Sequence, residues 1–233
     1  MPISFHLLTT FSLLQSLPPE TLMRLSTQMS LRSFSRREMV LAKDKPAQDL
    51  CFLIEGRAQG IDFTVDGRSV GLYFVEPGDY FGELTVIDGK GQSEFVVAAV
   101  KSKIAFLPAD AARQLIFSTP ELARAVMTRL TARVRSVMAQ RILLGLPNPF
   151  QRLCVQLLQL SREGTPGQMV VDPVPTHQEL AIMINASRET VTRVFQVLQA
   201  QRILRREGGL LQLENLRYLT DVAEGRKEPP KTS

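Results

Sequence analysis

Residues 174–198 constrain the fold more than any other part of the sequence. Thr176 and Glu179 have the spacing of a capping box, in which a hydroxyl and a carboxylate satisfy exposed amides at a helix start. Asn185 begins a short turn, because asparagine tolerates the left-handed backbone conformation. Ser187 is placed to cap a second helix. Two short helices with a tight joint form a helix-turn-helix, and the pattern predicts one here.

The second helix of this pair has two different faces. Its apolar face consists of Val191, Val194, Phe195 and Leu198. Its polar face carries long donors and acceptors, which a merely solvated helix would also show. The surroundings favour a binding function, because residues 187–206 contain five arginines and one glutamate, a net charge of +4. The polar face consists of Arg188, Glu189, Thr192, Arg193 and Gln196.

Residues 203–213 predict a β-hairpin around Gly208-Gly209. A helix-turn-helix followed by a hairpin is a winged helix. Double-stranded DNA is the partner that such a surface fits, since phosphates need cations and base edges need forked donors. We predict DNA contacts from both helices, at Thr176, His177, Gln178, Ser187, Arg188, Glu189, Thr192 and Arg193.

The first half of the chain is built differently, from short β-like runs separated by glycine turns. Asp-Gly and Pro-Gly pairs suit tight turns because glycine reaches positive φ without steric cost. Short strands at this spacing indicate an all-β roll or sandwich. The runs are 50–54, 59–64, 69–75 and 95–100, and the turns are Glu55-Gly56, Asp66-Gly67, Pro77-Gly78-Asp79 and Asp88-Gly89.

Residues 119 to about 146 predict one long helix, with Pro120 in its first turn. Apolar residues at alternating steps of three and four form a heptad seam, which favours a dimer contact between two such helices. A helix lying on the β-roll is the alternative, and Leu122, Val126 and Met138 could serve that surface. Both arrangements are compatible, because one stripe of the helix can face the β-roll while the other faces a second subunit. The seam consists of Met127, Leu130, Val134, Val137 and Leu144.

Composition excludes several classes of protein. Hydrophobic residues make up 44% and charged residues 22%, which is typical of a globular chain. The sequence has no apolar run long enough to span a membrane, and we expect no secretory leader, because no Lys or Arg precedes Arg24. Two cysteines and two histidines supply no iron–sulfur, haem or zinc site, so we expect no cofactor and a reducing, cytoplasmic setting. No nucleophile–base pair, carboxylate pair or phosphate loop indicates an enzyme.

Over nearly its full length the chain resembles the CRP/FNR family of bacterial transcription regulators. Residues 13–22 resemble that family's first short helix, 79–84 its cyclic-nucleotide cassette and 187–193 its recognition helix. The resemblance implies an α+β fold in four parts. These are a β-roll effector-sensing domain over 1–118, a long dimerisation helix and hinge over 119–147, a winged helix-turn-helix over 148–223 and a disordered tail over 224–233.

The same resemblance implies roles for individual side chains. Arg188 and Arg193 would meet guanines, and Glu189 would accept from a cytosine amino group. His177 and Gln178 would approach the backbone or an outer base. His177 stands where the family often has arginine, so its contact departs from the family pattern.

The sensor domain departs further from the family pattern. Cyclic-nucleotide binders of the family follow Gly-Glu-Leu with an arginine that neutralises the phosphate, but this chain has Gln92-Ser93-Glu94-Phe95 there. Glu94 would repel a phosphate. Alignment through Arg152 also puts apolar residues where the family's adenine-facing pair lies. We expect no cyclic AMP binding in the usual way, leaving a hydrophobic or neutral effector, or none. The candidate pocket residues are Gly82, Glu83, Leu84, Ser93, Glu94, Phe95, Val137 and Met138.

The leading interpretation is a homodimeric transcription regulator that reads a near-palindromic operator. The alternative is a ligand-binding module that acts mainly by protein contact, for instance with RNA polymerase. The basic face of the long helix motivates this alternative, although we expect that face simply to be solvated. That face consists of Arg124, Arg129, Arg133, Arg135 and Arg141.

Overall fold

The computed structural model describes residues 3–46, 49–63, 65 and 69–229. The chain divides into two compact units, residues 1–134 and 135–233. The first unit contains α1 (Phe5–Leu8), α2 (Pro19–Gln28), β1 (Ser30–Phe34), β2 (Met39–Leu41), β3 (Asp49–Glu55), β4 (Ala58–Phe63), β5 (Ser69–Val75), β6 (Tyr80–Phe81), α3 (Glu83–Asp88), β7 (Phe95–Ala98), β8 (Ser102–Pro108) and α4 (Ala109–Ser118). Helix α5 (Pro120–Gly145) belongs to both units.

The first unit contains two four-stranded antiparallel sheets, with the strand orders β1-β8-β3-β6 and β2-β7-β4-β5. The predicted β-roll is therefore confirmed, and the predicted runs lie in β3, β4, β5 and β7. Gly56 and Gly78 have positive φ, as the predicted turns require. The predicted turn at Asp66-Gly67 lies outside the described residues.

Strand β3 shows how the roll is held together. Leu50 and Phe52 face a core made with α1, α2 and α4, whereas Cys51 and Leu53 face the core between the two sheets. All four are almost fully buried. Side chains alternate between the faces of a strand, so one strand with two buried faces joins both cores.

Helix α5 begins at Pro120, as predicted, and packs its first turns on the roll. Leu122 and Val126 are buried there, in agreement with the predicted roll-facing stripe, whereas Met138 is 61% exposed. Four of the five seam residues lie open to solvent, since Met127, Val134, Val137 and Leu144 are exposed and Leu130 is half-buried.

The second unit is a winged helix-turn-helix, as predicted. It contains α6 (Pro149–Leu160), β9 (Arg162–Glu163), β10 (Met169–Val171), α7 (His177–Met183), α8 (Arg188–Ala200), β11 (Leu204–Glu207), β12 (Leu210–Leu213) and α9 (Leu216–Ala223). The strands form one antiparallel sheet in the order β11-β12-β10-β9. Asn148 caps α6 by accepting from the amide of Phe150 at 2.8 Å, with Pro149 in the first turn.

The end of the chain differs from expectation. Residues 224–233 are predicted to be disordered, but the structure places two of their cations against α9. Arg226 Nη2 lies 2.8 Å from Asp221 Oδ1, and Lys227 Nζ lies 4.3 Å from the ring centroid of Tyr218. The difference arises because α9 offers a carboxylate and a ring within reach of the following turn. Residues 230–233 lie outside the described residues. Among described residues, no helix is long and apolar enough to cross a bilayer.

Candidate nucleic-acid interface and effector site

The helix pair is held by local hydrogen bonds. The amide of Glu179 donates to Thr176 Oγ1 at 3.2 Å, and the amide of Thr176 donates to Glu179 Oε2 at 2.6 Å. This is the predicted capping box. Asn185 has φ of 48°, and Ser187 Oγ accepts from the amide of Thr190 at 3.1 Å. The predicted left-handed turn and the predicted second cap are both confirmed, so α7 and α8 are positioned by their own sequence.

Helix α8 separates its two faces as the sequence predicts. Val191, Val194, Phe195 and Leu198 are buried in the core of the second unit. Most of the opposite face is exposed, and the structure describes no ion pair or side-chain hydrogen bond for Arg188 or Arg193. Thr192 is the exception, because it is half-buried. The open residues are Arg188, Glu189, Arg193 and Gln196.

Thr192 is bonded to the preceding helix. Its Oγ1 lies 2.9 Å from Nδ1 of His177, and the same Oγ1 donates to the carbonyl of Arg188 at 2.9 Å. The His177 ring also lies against Phe195, with the centroids 4.6 Å apart. Burial lowers the pKa of His177, and the charges of Arg206 and Arg188 lower it further. Of the remaining predicted DNA contacts, Thr176, Gln178 and Ser187 are exposed.

Two residues that the sequence reasoning missed support the helix pair. Arg152 of α6 donates to the carbonyl of Leu146 at 3.1 Å and to that of Asn185 at 3.2 Å. Gln140 of α5 donates to the carbonyl of Met183. Both side chains satisfy carbonyls at or near helix ends, where intrahelical partners are missing. They stand 33 and 43 residues away from their acceptors in α7 and its turn, so no local pattern signals them.

The hairpin β11–β12 forms the predicted wing. Gly208 takes φ of 58° at its tip. The two arginines of β11 differ in their surroundings. Arg205 forms an ion pair with Glu214 at 2.7 Å and donates a hydrogen bond to Gln212 at 2.8 Å. Arg206 is exposed. The positive charge predicted for 187–206 is therefore partly neutralised on the wing and unpaired on α8.

The candidate effector site in the first unit is occupied by an ion pair. Glu83 begins α3, and its side chain is only 1% exposed. Its partner is Arg133 of α5, which bonds Glu83 Oε1. Burial alone would lower the pKa of Arg133, but the charge of Glu83, the hydrogen bond to it and the neighbouring Tyr73 together raise it. The other oxygen, Glu83 Oε2, is buried and has no hydrogen-bond partner among the described residues.

A tyrosine fills the space beside this pair. The Tyr73 ring packs against Gly60, where an added Cβ would lie 2.5 Å from the ring, and Arg133 stacks over it with its guanidinium carbon 4.2 Å from the centroid. The Tyr73 hydroxyl donates to the buried carboxylate of Glu94, which also accepts from Ser93. Burial raises the pKa of Tyr73, and the charge of Glu94 raises it further.

A second arginine of α5 binds the cassette next to the first. Arg129 bonds both carboxylate oxygens of Asp79, donates to the carbonyl of Tyr80 at 2.6 Å and stacks over the Tyr80 ring at 4.0 Å. Burial raises the pKa of Tyr80 to about 12. The expectation of a solvated basic face is therefore wrong for Arg129 and Arg133, because carboxylates of the roll lie beneath them.

The other candidate pocket residues differ in their surroundings. Leu84 is 38% exposed, Phe95 stacks on the edge of Phe63, and Val137 and Met138 are open to solvent. The roll does hold a cavity of about 200 Å³. None of the predicted pocket residues lines it; its walls are Arg32, Val40, Leu41, Ala42, Lys45, Pro46, Asp49, Thr85, Gln92 and Phe106.

The two cysteines are buried and unbonded. Burial raises the pKa of the Cys51 thiol well above its ordinary value and that of the Cys154 thiol to about 12. Thiols with raised pKa values are poor nucleophiles and poor ligands, so both act as small apolar core residues.

Comparisons with known proteins agree with this architecture. Residues 31–119 match the family model of the cyclic nucleotide-binding domain, and residues 151–222 match that of the Crp-like helix-turn-helix domain. No curated protein matches the chain.

Solved structures are similar over most of the chain. The CRP-family transcriptional regulator TTHB099 of Thermus thermophilus is 26% identical, with a TM-score of 0.60 over 83% of this chain and 96% of that one. FixK2 of Bradyrhizobium japonicum is 21% identical, with a TM-score of 0.69 over 83% and 96%. CLP of Xanthomonas campestris, a c-di-GMP-responsive global regulator, is 23% identical, with a TM-score of 0.65 over 84% and 99%.

Proposed function

This chain belongs to the CRP/FNR family of transcription regulators, and from that premise we propose that it is a cytoplasmic homodimer that reads a near-palindromic operator. The observation that carries the proposal is the open polar face of α8, where Arg188 and Arg193 lie exposed with no partner among the described residues. A capped helix with unpaired forked donors suits the major groove, where arginine reads guanine by two hydrogen bonds.

The remaining predicted contacts fit the same arrangement. Glu189 is exposed between the two arginines in sequence and would accept from a cytosine amino group. Thr176, Gln178 and Ser187 are exposed at the starts of α7 and α8, where they would meet phosphates. These contacts fix the register of the helix, whereas the α8 side chains distinguish bases.

The exposed seam on α5 supports the homodimer. Met127, Val134 and Val137 are each more than half exposed, and such a stripe on a long helix is typical of a surface that another helix covers. Two subunits joined there would present two α8 helices to successive major grooves, about 34 Å apart.

We further propose that the sensor does not bind cyclic AMP in the usual way of cyclic-nucleotide binders. Three features support this: the lack of a cation in Gln92-Ser93-Glu94-Phe95, the buried Glu94 carboxylate within that stretch and the Tyr73 ring packed on Gly60. A phosphate placed there would meet an anion. The unpartnered Glu83 Oε2 would suit a neutral hydroxyl-bearing effector.

The protein-contact alternative has less support. Two of the five arginines that motivate it, Arg129 and Arg133, are committed to Asp79 and Glu83. A partner such as RNA polymerase would have to bind the remaining basic side chains without displacing those pairs.

The test of DNA reading is selection of duplexes from a randomised pool, followed by binding at several salt concentrations. We expect an enriched near-palindrome and an affinity that falls steeply with salt, with a slope of about −0.9 for each phosphate contact. Binding that is independent of salt, or no enrichment, would overturn the proposal.

The test of the sensor is calorimetric titration with cyclic AMP. We expect no heat of binding at micromolar concentrations of cyclic AMP. The double variant Tyr73→Ala, Glu94→Arg should bind cyclic AMP, because it removes the ring and reverses the charge. Micromolar binding to the wild-type protein would contradict our interpretation.

A further inference from the structure

The bond between His177 and Thr192 determines which nitrogen of the histidine carries the proton. A threonine hydroxyl has a single hydrogen, and Thr192 uses it on the carbonyl of Arg188. Its Oγ1 can therefore only accept from His177, so Nδ1 of the ring is the donor across 2.9 Å. In the neutral ring, Nε2 then has no hydrogen and is an acceptor.

Nε2 is left available for a ligand. No hydrogen bond to it exists within the described part of the chain, and it is not among the buried unpartnered atoms. Phe195 packs against the ring and Thr192 holds Nδ1, so the ring cannot turn over to present its other nitrogen without losing the hydrogen bond to Thr192. The orientation of His177 is thus set by α8.

We propose that His177 is a pH-dependent contact to the DNA backbone, so that operator affinity rises as the pH falls and the ring becomes charged. The proposal rests on the DNA-reading function proposed above and names a regulated contact within it. His177 lies on α7, and in a helix-turn-helix the first helix crosses the backbone rather than entering the groove.

The chemistry follows from the fixed tautomer. A phosphate oxygen only accepts, so it repels the lone pair of a neutral Nε2. Protonation puts a hydrogen on Nε2 and a positive charge on the ring, which together make a charge-assisted hydrogen bond to phosphate. An arginine at this position would make that bond at every pH, whereas histidine makes it only when protonated.

Burial and neighbouring cations lower the pKa of His177 in the free protein. The charged groups that face the ring from neighbouring elements are Arg188 of α8 and Arg206 of β11, and both disfavour its protonation in the free protein. DNA phosphates oppose that effect. The pKa of His177 therefore rises on binding, and a rise of one unit is about a tenfold gain in affinity per histidine once the ring is protonated.

The experiment compares affinities for the duplex selected by the wild-type protein between pH 7.5 and pH 5.5. We expect the wild type to bind more tightly at low pH, with a salt slope steeper by about 0.9 per protonated histidine. His177→Gln and His177→Arg should both lose the pH dependence, the second because its charge is permanent. His6→Gln is the matched control, since His6 is the other histidine of the chain and lies exposed in the first unit.

A measurement on the wild type removes dependence on variants that fold poorly. Nitrogen chemical shifts of the His177 ring should show the Nδ1-protonated tautomer, and its pKa should rise when the duplex is added. Operator binding with an unchanged His177 pKa, or a pH dependence kept in His177→Gln, would overturn this inference alone. Failure to bind any duplex would overturn the DNA-reading function itself.

Discussion

Two pairs of arginines on two helices are used in opposite ways. Arg129 and Arg133 of α5 are about three-quarters buried and paired with Asp79 and Glu83 of the roll. Arg188 and Arg193 of α8 are exposed, and the described residues offer them no partner. Both pairs lie on helices, with members four positions apart in α5 and five in α8, so the function of each pair depends on which groups lie opposite it in the fold.

The difference separates structural cations from binding cations. A cation that is already paired with a buried carboxylate stabilises the fold, and a ligand has to displace that carboxylate before it can use the cation. An exposed unpaired arginine contributes little to stability, because a surface charge is well solvated. It keeps its donors free for another molecule. The comparison predicts that the two pairs respond differently to the same substitution.

The largest effect is expected from Arg133→Met, which leaves Glu83 buried without its cation. Removing one partner of a buried ion pair costs about 3–5 kcal/mol of the free energy of unfolding. Urea unfolding followed by circular dichroism measures the loss. Arg193→Met is the matched control and should change stability by less than about 0.5 kcal/mol.

A second substitution isolates the cause. Glu83→Gln in the Arg133→Met background removes the uncompensated charge, so it should recover a substantial part of the lost stability. Equal losses for Arg133→Met and Arg193→Met would abolish the distinction between the two pairs. No recovery in the double variant would show that stacking of the guanidinium on Tyr73, rather than the pairing with Glu83, stabilises this site.

The winged helix could be predicted because its signals are local. The capping box of Thr176 and Glu179 and the faces of α8 depend on residues three or four positions apart, and helix geometry brings such residues together. The Glu83–Arg133 pair could not be predicted, because its members are 50 residues apart and meet only once α5 lies on the roll. Charge alone indicated a solvated face for α5.

Some strands escaped prediction for the same kind of reason. The first four residues of β1 are exposed, so its pattern lacks the alternation that marks a half-buried strand. Strand β8 has the opposite difficulty, since four consecutive residues from Ile104 to Leu107 are buried and both of its faces are apolar. Hydrophobic periodicity identifies a strand that has one buried face and one solvent-exposed face, and neither β1 nor β8 shows this alternation.

A smaller effect is expected from Arg188→Ala and Arg193→Ala, and it falls on binding rather than stability. Each should cost about 1–3 kcal/mol of affinity for the selected duplex and relax the preference at one base pair. Fluorescence anisotropy with single-base variants of the duplex measures both quantities. If a variant weakens binding to all sequences equally, that arginine contacts phosphate instead of a base.

The smallest effect concerns how α8 is held, and Ser187→Ala tests it. Losing this cap should cost about 1 kcal/mol of stability and fray the first turn, which carries Arg188 and Glu189. Affinity for the selected duplex should fall, because the variant loses both the order of this turn and the proposed phosphate contact of Ser187. Asn148→Ala is the matched control, because Asn148 caps α6 in the same unit and lies outside the predicted contacts. Asn148→Ala should cost a similar free energy of unfolding and leave the affinity for the duplex unchanged. A loss of affinity in both variants would mean that general destabilisation, and not the start of α8, limits binding.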